Sequence, residues 1–220
     1  MSNSPKICVI LSGCGVFDGA EIHESVISLL HLARRGATVQ CSAPDKPQMH
    51  VIDHLRGQVA EGESRNVLVE AARIARGAII PLSEVNPADY DAVFMPGGFG
   101  AAKNLSNFAV EGAKGSADPE LIRVLRGFRA AGKPIGAVCI APAVLVMALG
   151  EGDVTIGSDA GTASAIESLG GHHISCPVEA AHIDTARKIV TAPAYMVDTT
   201  IDQVARGIEE AVDAVLGMCG

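Results

Sequence analysis

Short apolar runs rich in β-branched residues alternate along this chain with longer stretches of helical period, and few folds accommodate that alternation. The runs are Lys6 to Ser12, Thr38 to Ala43, Ala78 to Pro81, Ala92 to Pro96, Ile135 to Val138 and Ile189 to Ala192, with weaker candidates at Val154 to Gly157 and His173 to Val178. Most are apolar at successive positions rather than alternate ones, so both faces of each strand need cover, as in a parallel sheet between two helical layers. Helical patterns fill the intervals: Glu21 to Arg35, Val67 to Arg76, Pro119 to Ala131, Ala141 to Leu149, Gly161 to Leu169 and Ile201 to Met218. Gly36, Gly77, Gly132 and Gly170 are placed to close four of them, and Asp118 before Pro119 is placed to open one.

No Pro/Gly/Ser-rich linker, charge block or repeat divides the 220 residues, so one domain spanning 1–220 is expected. With 48% hydrophobic residues the chain can build a core, which excludes disordered and fibrous classes. No apolar run approaches the roughly 18 residues of a membrane helix. Seventeen Lys and Arg against 25 Asp and Glu leave a net charge of -8, which disfavours nucleic acid and anionic membranes as partners. The six cysteines show no C-x-x-C and no dense spacing, so no zinc site or disulfide framework is expected, and a reducing cytoplasm fits. No metal-ligand spacing or phosphate loop is present either, so no cofactor is expected.

In an open α/β sheet the ligand crevice lies beyond the carboxyl ends of the strands, which points to the loops after Ser12, Ala43, Pro96 and Val138. Cys139 stands where a buried run turns into a helix, with the small residues Ala137 and Ala141 two positions either side, as a sharp nucleophile elbow requires. A helix N-terminus there favours thiolate, predicting a pKa well below the ordinary value near 8.5; the bland alternative is a buried structural cysteine. Gly97 and Gly98, with the amide of Ile140, could turn main-chain N–H groups toward an oxyanion, although a tight turn alone would explain the glycines. Glu21 and Glu24 share a helix face, so one can cap the helix while the other points to the crevice. There Glu24 would be held protonated beside the sulfur, unless both merely compensate the helix dipole. Gly13-Cys14-Gly15 reads as a pocket wall with a second thiol, or as a turn. The irregular segment Pro44 to Arg65 reads as an excursion that walls a site.

These runs resemble a known family. Ile10-Leu11-Ser12-Gly13-Cys14-Gly15-Val16-Phe17-Asp18-Gly19, Glu21-Ile22-His23-Glu24, Ala43-Pro44-Asp45-Lys46, Pro96 through Leu105, Cys139-Ile140-Ala141-Pro142-Ala143 and Thr191 through Met196 are similar to the bacterial enhancing-lycopene-biosynthesis (ElbB-type) proteins of the PfpI and glutamine-amidotransferase-like superfamily. The resemblance implies a flavodoxin-like three-layer sandwich, Cys139 as elbow nucleophile and Glu24 as its hydrogen-bonding partner. Cys14, Lys103 and Asn104 become the expected pocket residues. The superfamily's usual bases have no match. No histidine follows Cys139, no His-x-Glu precedes the last helix, and Gly157-Ser158-Asp159 replaces the loop histidine of glyoxalase and deglycase relatives. The implied activity is a cofactor-independent, glyoxalase-like conversion of glyoxal or methylglyoxal to the 2-hydroxy acid, with Glu24 or an imidazole from another loop moving the proton. His172 and His173 are the next suspects for that imidazole. The alternatives are a redox sensor that oxidises Cys139 or, on weaker grounds, an amidotransferase subunit. The expected partners are a small dicarbonyl and a second copy of the chain in a homodimer.

Overall fold

The computed structural model describes residues 4–219. In chain order it runs β1 (Lys6–Ile10), α1 (Ile22–Arg34), β2 (Thr38–Ala43), β3 (Ile52–Asp53), β4 (Gln58–Val59), α2 (Val67–Ile74), β5 (Ile79–Pro81), β6 (Ala92–Met95), α3 (Phe99–Asn104) and α4 (Phe108–Glu111). It continues with α5 (Pro119–Ala130), β7 (Ile135–Val138), α6 (Ala141–Leu149), β8 (Asp153–Val154), α7 (Ala160–Ser168), β9 (His172–His173), β10 (His182–Asp184), β11 (Ile189–Ala192) and α8 (Ile201–Gly217). Seven strands form one sheet in the order β10-β11-β7-β6-β1-β2-β5. All its neighbours are parallel except the edge pair β10 and β11.

The unbroken apolar character of the central runs has the expected cause. Every residue of β6, β7 and β11 is buried. One core cluster joins α1, α2 and α8 to one face of the sheet, and a second joins α5 and α6 to the other, giving the flavodoxin-like three-layer sandwich. Phe94 and Phe128 are fully buried, one in each cluster, each contributing roughly 1.5–3 kcal/mol of transfer free energy. The four expected terminating glycines all have positive φ. Asp118 caps α5 by accepting from the Glu120 N–H at 2.9 Å.

Where sequence and structure differ, the elements are short. The weaker strand candidates shrink to β8 and β9, which pair with each other outside the main sheet. β10 lies where no strand is expected; three residues suffice because β11 supplies the ladder. The excursion from Pro44 to Arg65 carries the β3–β4 hairpin, and its Ile52 N–H donates to Asp18 Oδ2 at 2.8 Å, binding it over the carboxyl end of β1. The chain leaves β1 first toward β2 and β5, then returns to β1's other side for β6 and β7. The order therefore reverses between β1 and β6, where such sheets open a crevice.

Candidate active site

The turn from β7 into α6 puts Cys139 in the left-handed region, φ 61°, a conformation that costs a non-glycine residue about 1–3 kcal/mol and persists only under strong surrounding constraint. That constraint is visible. The Cys139 N–H donates to the Ala192 carbonyl at 3.0 Å, Ala137 and Ala141 are fully buried against their neighbours, and Gly97 passes directly beneath. A Cβ on Gly97 would stand 2.5 Å from the Cys139 Cβ and 3.0 Å from its sulfur, so only glycine permits β6 to end there.

Glu24 reaches the sulfur from α1. Glu21 caps that helix, its carboxylate accepting from the Glu24 N–H at 2.7 Å, which leaves the Glu24 side chain free to point into the protein. Glu24 is fully buried; its Oε2 accepts from the Gly97 N–H at 2.9 Å, its Oε1 from the Tyr195 N–H at 3.3 Å, and it hydrogen-bonds Cys139. Burial, then the Glu21 carboxylate, push the Glu24 carboxyl up to about 7. Burial, and next the Glu24 charge, push the Cys139 thiol up as well, against hydrogen bonds to sulfur from the Gly98 and Ile140 N–H groups. Burial thus opposes the thiolate expected from a helix N-terminus, while the Gly98 and Ile140 N–H groups favour it. Deprotonation is instead a matter for the pair, in which a carboxyl poised near neutrality can take the thiol proton as sulfur attacks.

The expected oxyanion donors separate accordingly. Gly98 and Ile140 offer N–H groups at the sulfur, whereas the Gly97 N–H is committed to Glu24. Cys139, Gly98 and Ile140 open on a cavity of about 440 Å³ lined largely by apolar side chains, among them Phe99, Phe108 and Met196, together with Tyr195. Asp159 also lines it, but its carboxylate caps α7 by accepting from the Thr162 N–H at 2.7 Å, and the Thr162 side chain first, then that N–H, hold it below the usual carboxylate range and make it a poor base.

The other expected pocket residues lie elsewhere. Asn104 is buried and fastens three loops: its Nδ2 donates to the carbonyls of Ser12 and Asp18, both at 2.8 Å, and its Oδ1 accepts from the Met49 N–H at 3.0 Å. Lys103 donates to the Phe17 carbonyl at 2.8 Å and faces a separate hollow with Phe17 and Ile52. Cys14 is half-buried and its thiol is pushed up by burial and by Glu70, so it is no activated second nucleophile at this cavity. His172 is exposed and 3.4 Å from Glu167, and neither it nor His173 lines the cavity. Sequence reasoning gave no role to Tyr195, whose hydroxyl lies 2.9 Å from His23 Nδ1; 172 residues separate the two, and no local spacing signals such a contact. Among the described residues no group of three or more His, Cys, Asp or Glu is arranged to hold a metal.

A strained elbow cysteine backed by a buried glutamate, at the carboxyl edge of a flavodoxin-like sheet, defines a class of three-layer sandwich proteins. Within it, a model described as the DJ-1/PfpI family matches residues 7–199, and the chain belongs to that family. The human protein named glutamine amidotransferase-like class 1 domain-containing protein 3, mitochondrial, is 50% identical across 98% of this chain and 84% of its own length. The Danio rerio ES1 protein, mitochondrial, is 34% identical across 88% of this chain and 78% of its own. An Ehrlichia chaffeensis structure described as an isoprenoid biosynthesis protein with amidotransferase-like domain superposes with a TM-score of 0.90 at 39% identity, covering 96% of this chain and 99% of that one. Glyoxalase III of Candida albicans superposes with a TM-score of 0.64 at 16% identity over 98% of each chain, a likeness of fold.

Proposed function

We propose that the protein is a cofactor-independent, glyoxalase-like lyase that converts a small dicarbonyl to its 2-hydroxy acid through Cys139. The observation that carries this reading is the hydrogen-bonded Glu24–Cys139 pair beneath two inward N–H groups at the mouth of a mainly apolar cavity. As the sulfur adds to the aldehyde carbon, Glu24 takes the thiol proton, the carbonyl π bond opens, and the N–H groups of Gly98 and Ile140 receive the developing oxyanion. The resulting hemithioacetal isomerises to a thioester by moving one proton from the carbon bearing sulfur to its neighbour, and water releases glycolate or lactate and the free thiol. An aldehyde is a far better electrophile than an amide, so this site can act without the base that would activate water against glutamine or a peptide.

The ElbB-type subgroup belongs to the same proposal, supported by the motif runs and by the isoprenoid description of the Ehrlichia relative. So do a homodimer, and a reducing compartment such as the cytoplasm; the word mitochondrial is said of the relatives alone. The test follows glycolate by chromatography from glyoxal, without glutathione, metal or nucleotide, in the wild type and Cys139→Ala, with glutamine hydrolysis as control. Slow glycolate formation abolished in Cys139→Ala is expected. Glycolate unaffected by that change sinks the mechanism, and glutaminase activity above aldehyde turnover transfers the assignment to amidotransfer. No turnover, with Cys139 found as sulfinic acid in protein purified without reductant, favours a redox sensor.

A further inference from the structure

The isomerisation step needs a group that can reach the substrate carbon, and Glu24 cannot supply it. Both its oxygens are engaged with Gly97, Tyr195 and Cys139, and it lies behind the sulfur, outside the cavity lining. Asp159 is held by the Thr162 N–H. Among the described residues, His23 is the histidine that hydrogen-bonds a side chain lining the cavity.

That side chain, Tyr195, is fixed at both ends by one helix. Its N–H donates to Glu24 and its hydroxyl meets the adjacent residue of α1, His23, with ring centroids 5.8 Å apart. The residue before it, Ala194, is buried in the left-handed conformation, φ 46°, a second strained backbone position next to a residue that lines the cavity. Burial, with Glu21 and Glu24, pushes the Tyr195 phenol up, keeping it neutral and dependent on a base behind it to act.

Resting on the glyoxalase-like reading, we infer that Tyr195 and His23 form the proton-transfer dyad of this site. The phenol oxygen accepts the proton from the hemithioacetal carbon while its own proton passes to His23 Nδ1. The electron pair of the broken C–H bond forms the C=C bond of an enediol, whose second oxygen takes a proton from water. The reverse transfer then protonates the neighbouring carbon while the hydroxyl on the sulfur-bearing carbon returns a proton to water and its oxygen becomes the thioester carbonyl, so protons balance and nothing is oxidised or reduced from outside. This role needs the His23 tautomer with its proton on Nε2, a nitrogen for which the exposed side chain leaves room in solvent. The dyad supplies what the empty histidine positions of the family pattern lack.

The experiment uses the whole protein with glyoxal, comparing wild type, Tyr195→Phe, His23→Gln and His23→Ala. Adduct formation on Cys139 is read by intact mass and by protection from iodoacetamide, and turnover by glycolate. A glutamine oxygen can accept the Tyr195 hydroxyl bond but cannot serve as a base, so a merely structural histidine would tolerate the change. We expect all three variants to form the adduct, kcat to fall about 10²-fold or more, and added imidazole to restore part of the rate in His23→Ala alone. Near-wild-type kcat in His23→Gln or Tyr195→Phe overturns the dyad while leaving Cys139 chemistry standing. Absence of imidazole rescue, or a rate lost only through KM, also overturns it. A wild type that forms no glycolate overturns the glyoxalase reading itself, and the dyad with it.

Discussion

The Glu24 carboxyl, held up to about 7 by burial and Glu21, makes folding itself report on the site. Between roughly pH 4.5 and 7 the folded protein keeps a proton that the unfolded chain has released. The carboxyl's contribution is therefore fully present below about 4.5, is lost progressively as pH rises, and is gone above about 7. At about 1.4 kcal/mol per pH unit the penalty at pH 8 is about 3 kcal/mol, equivalent to roughly 6–12 °C of Tm for a domain of this size. Glu24→Gln removes the titration. Its amide has one acceptor oxygen for the two N–H groups of Gly97 and Tyr195, so it also introduces a constant cost of about 1–3 kcal/mol from the unmatched donor. That cost is independent of pH, and other titrating groups cancel between the two proteins. Thermal unfolding followed by circular dichroism from pH 4.5 to 8 should show the variant's Tm, relative to wild type, climbing by about that amount, whatever its offset. A difference that stays flat across the range, or falls, refutes a carboxyl kept protonated by its burial.

Gly97→Ala should fold with a displaced elbow and lose glycolate formation nearly completely, because the added Cβ stands 2.5 Å from that of Cys139; retained turnover in a steady-state assay would show that β6 can yield there. Asn104→Ala should destabilise by about 2–4 kcal/mol in urea titration, since it leaves two carbonyls and one N–H without partners while touching nothing in the cavity. A loss below about 1 kcal/mol would mean that water replaces the amide.

The central strands were legible in the sequence because their burial on both faces removes polar residues altogether, and the longer helices because glycines with positive φ close them. α3 escaped because six residues between Gly98 and Leu105 are too few to display a period, and β10 because a three-residue edge strand draws its register from β11. Cys139 was legible for a local reason, the small residues its turn demands. Lys103 and Asn104 do not line the cavity, because proximity to the Gly97-Gly98 turn says nothing about which way α3 rotates; they donate to the Phe17 and Asp18 carbonyls. His23 and Tyr195 meet only through tertiary structure, and no window along the chain contains both.

The single carboxyl of Glu24 spans contacts 73 and 171 residues away in the sequence, to Gly97 and to Tyr195. A chain emerging from the ribosome can therefore complete its first strands, and even the elbow turn, well before it owns a working centre. Only once the segment through Tyr195 has been made and laid beside β7 does the cysteine acquire its full set of neighbours. Reactivity is thereby withheld until synthesis is nearly complete, so truncated translation products should carry an elbow cysteine without its assembled chemistry.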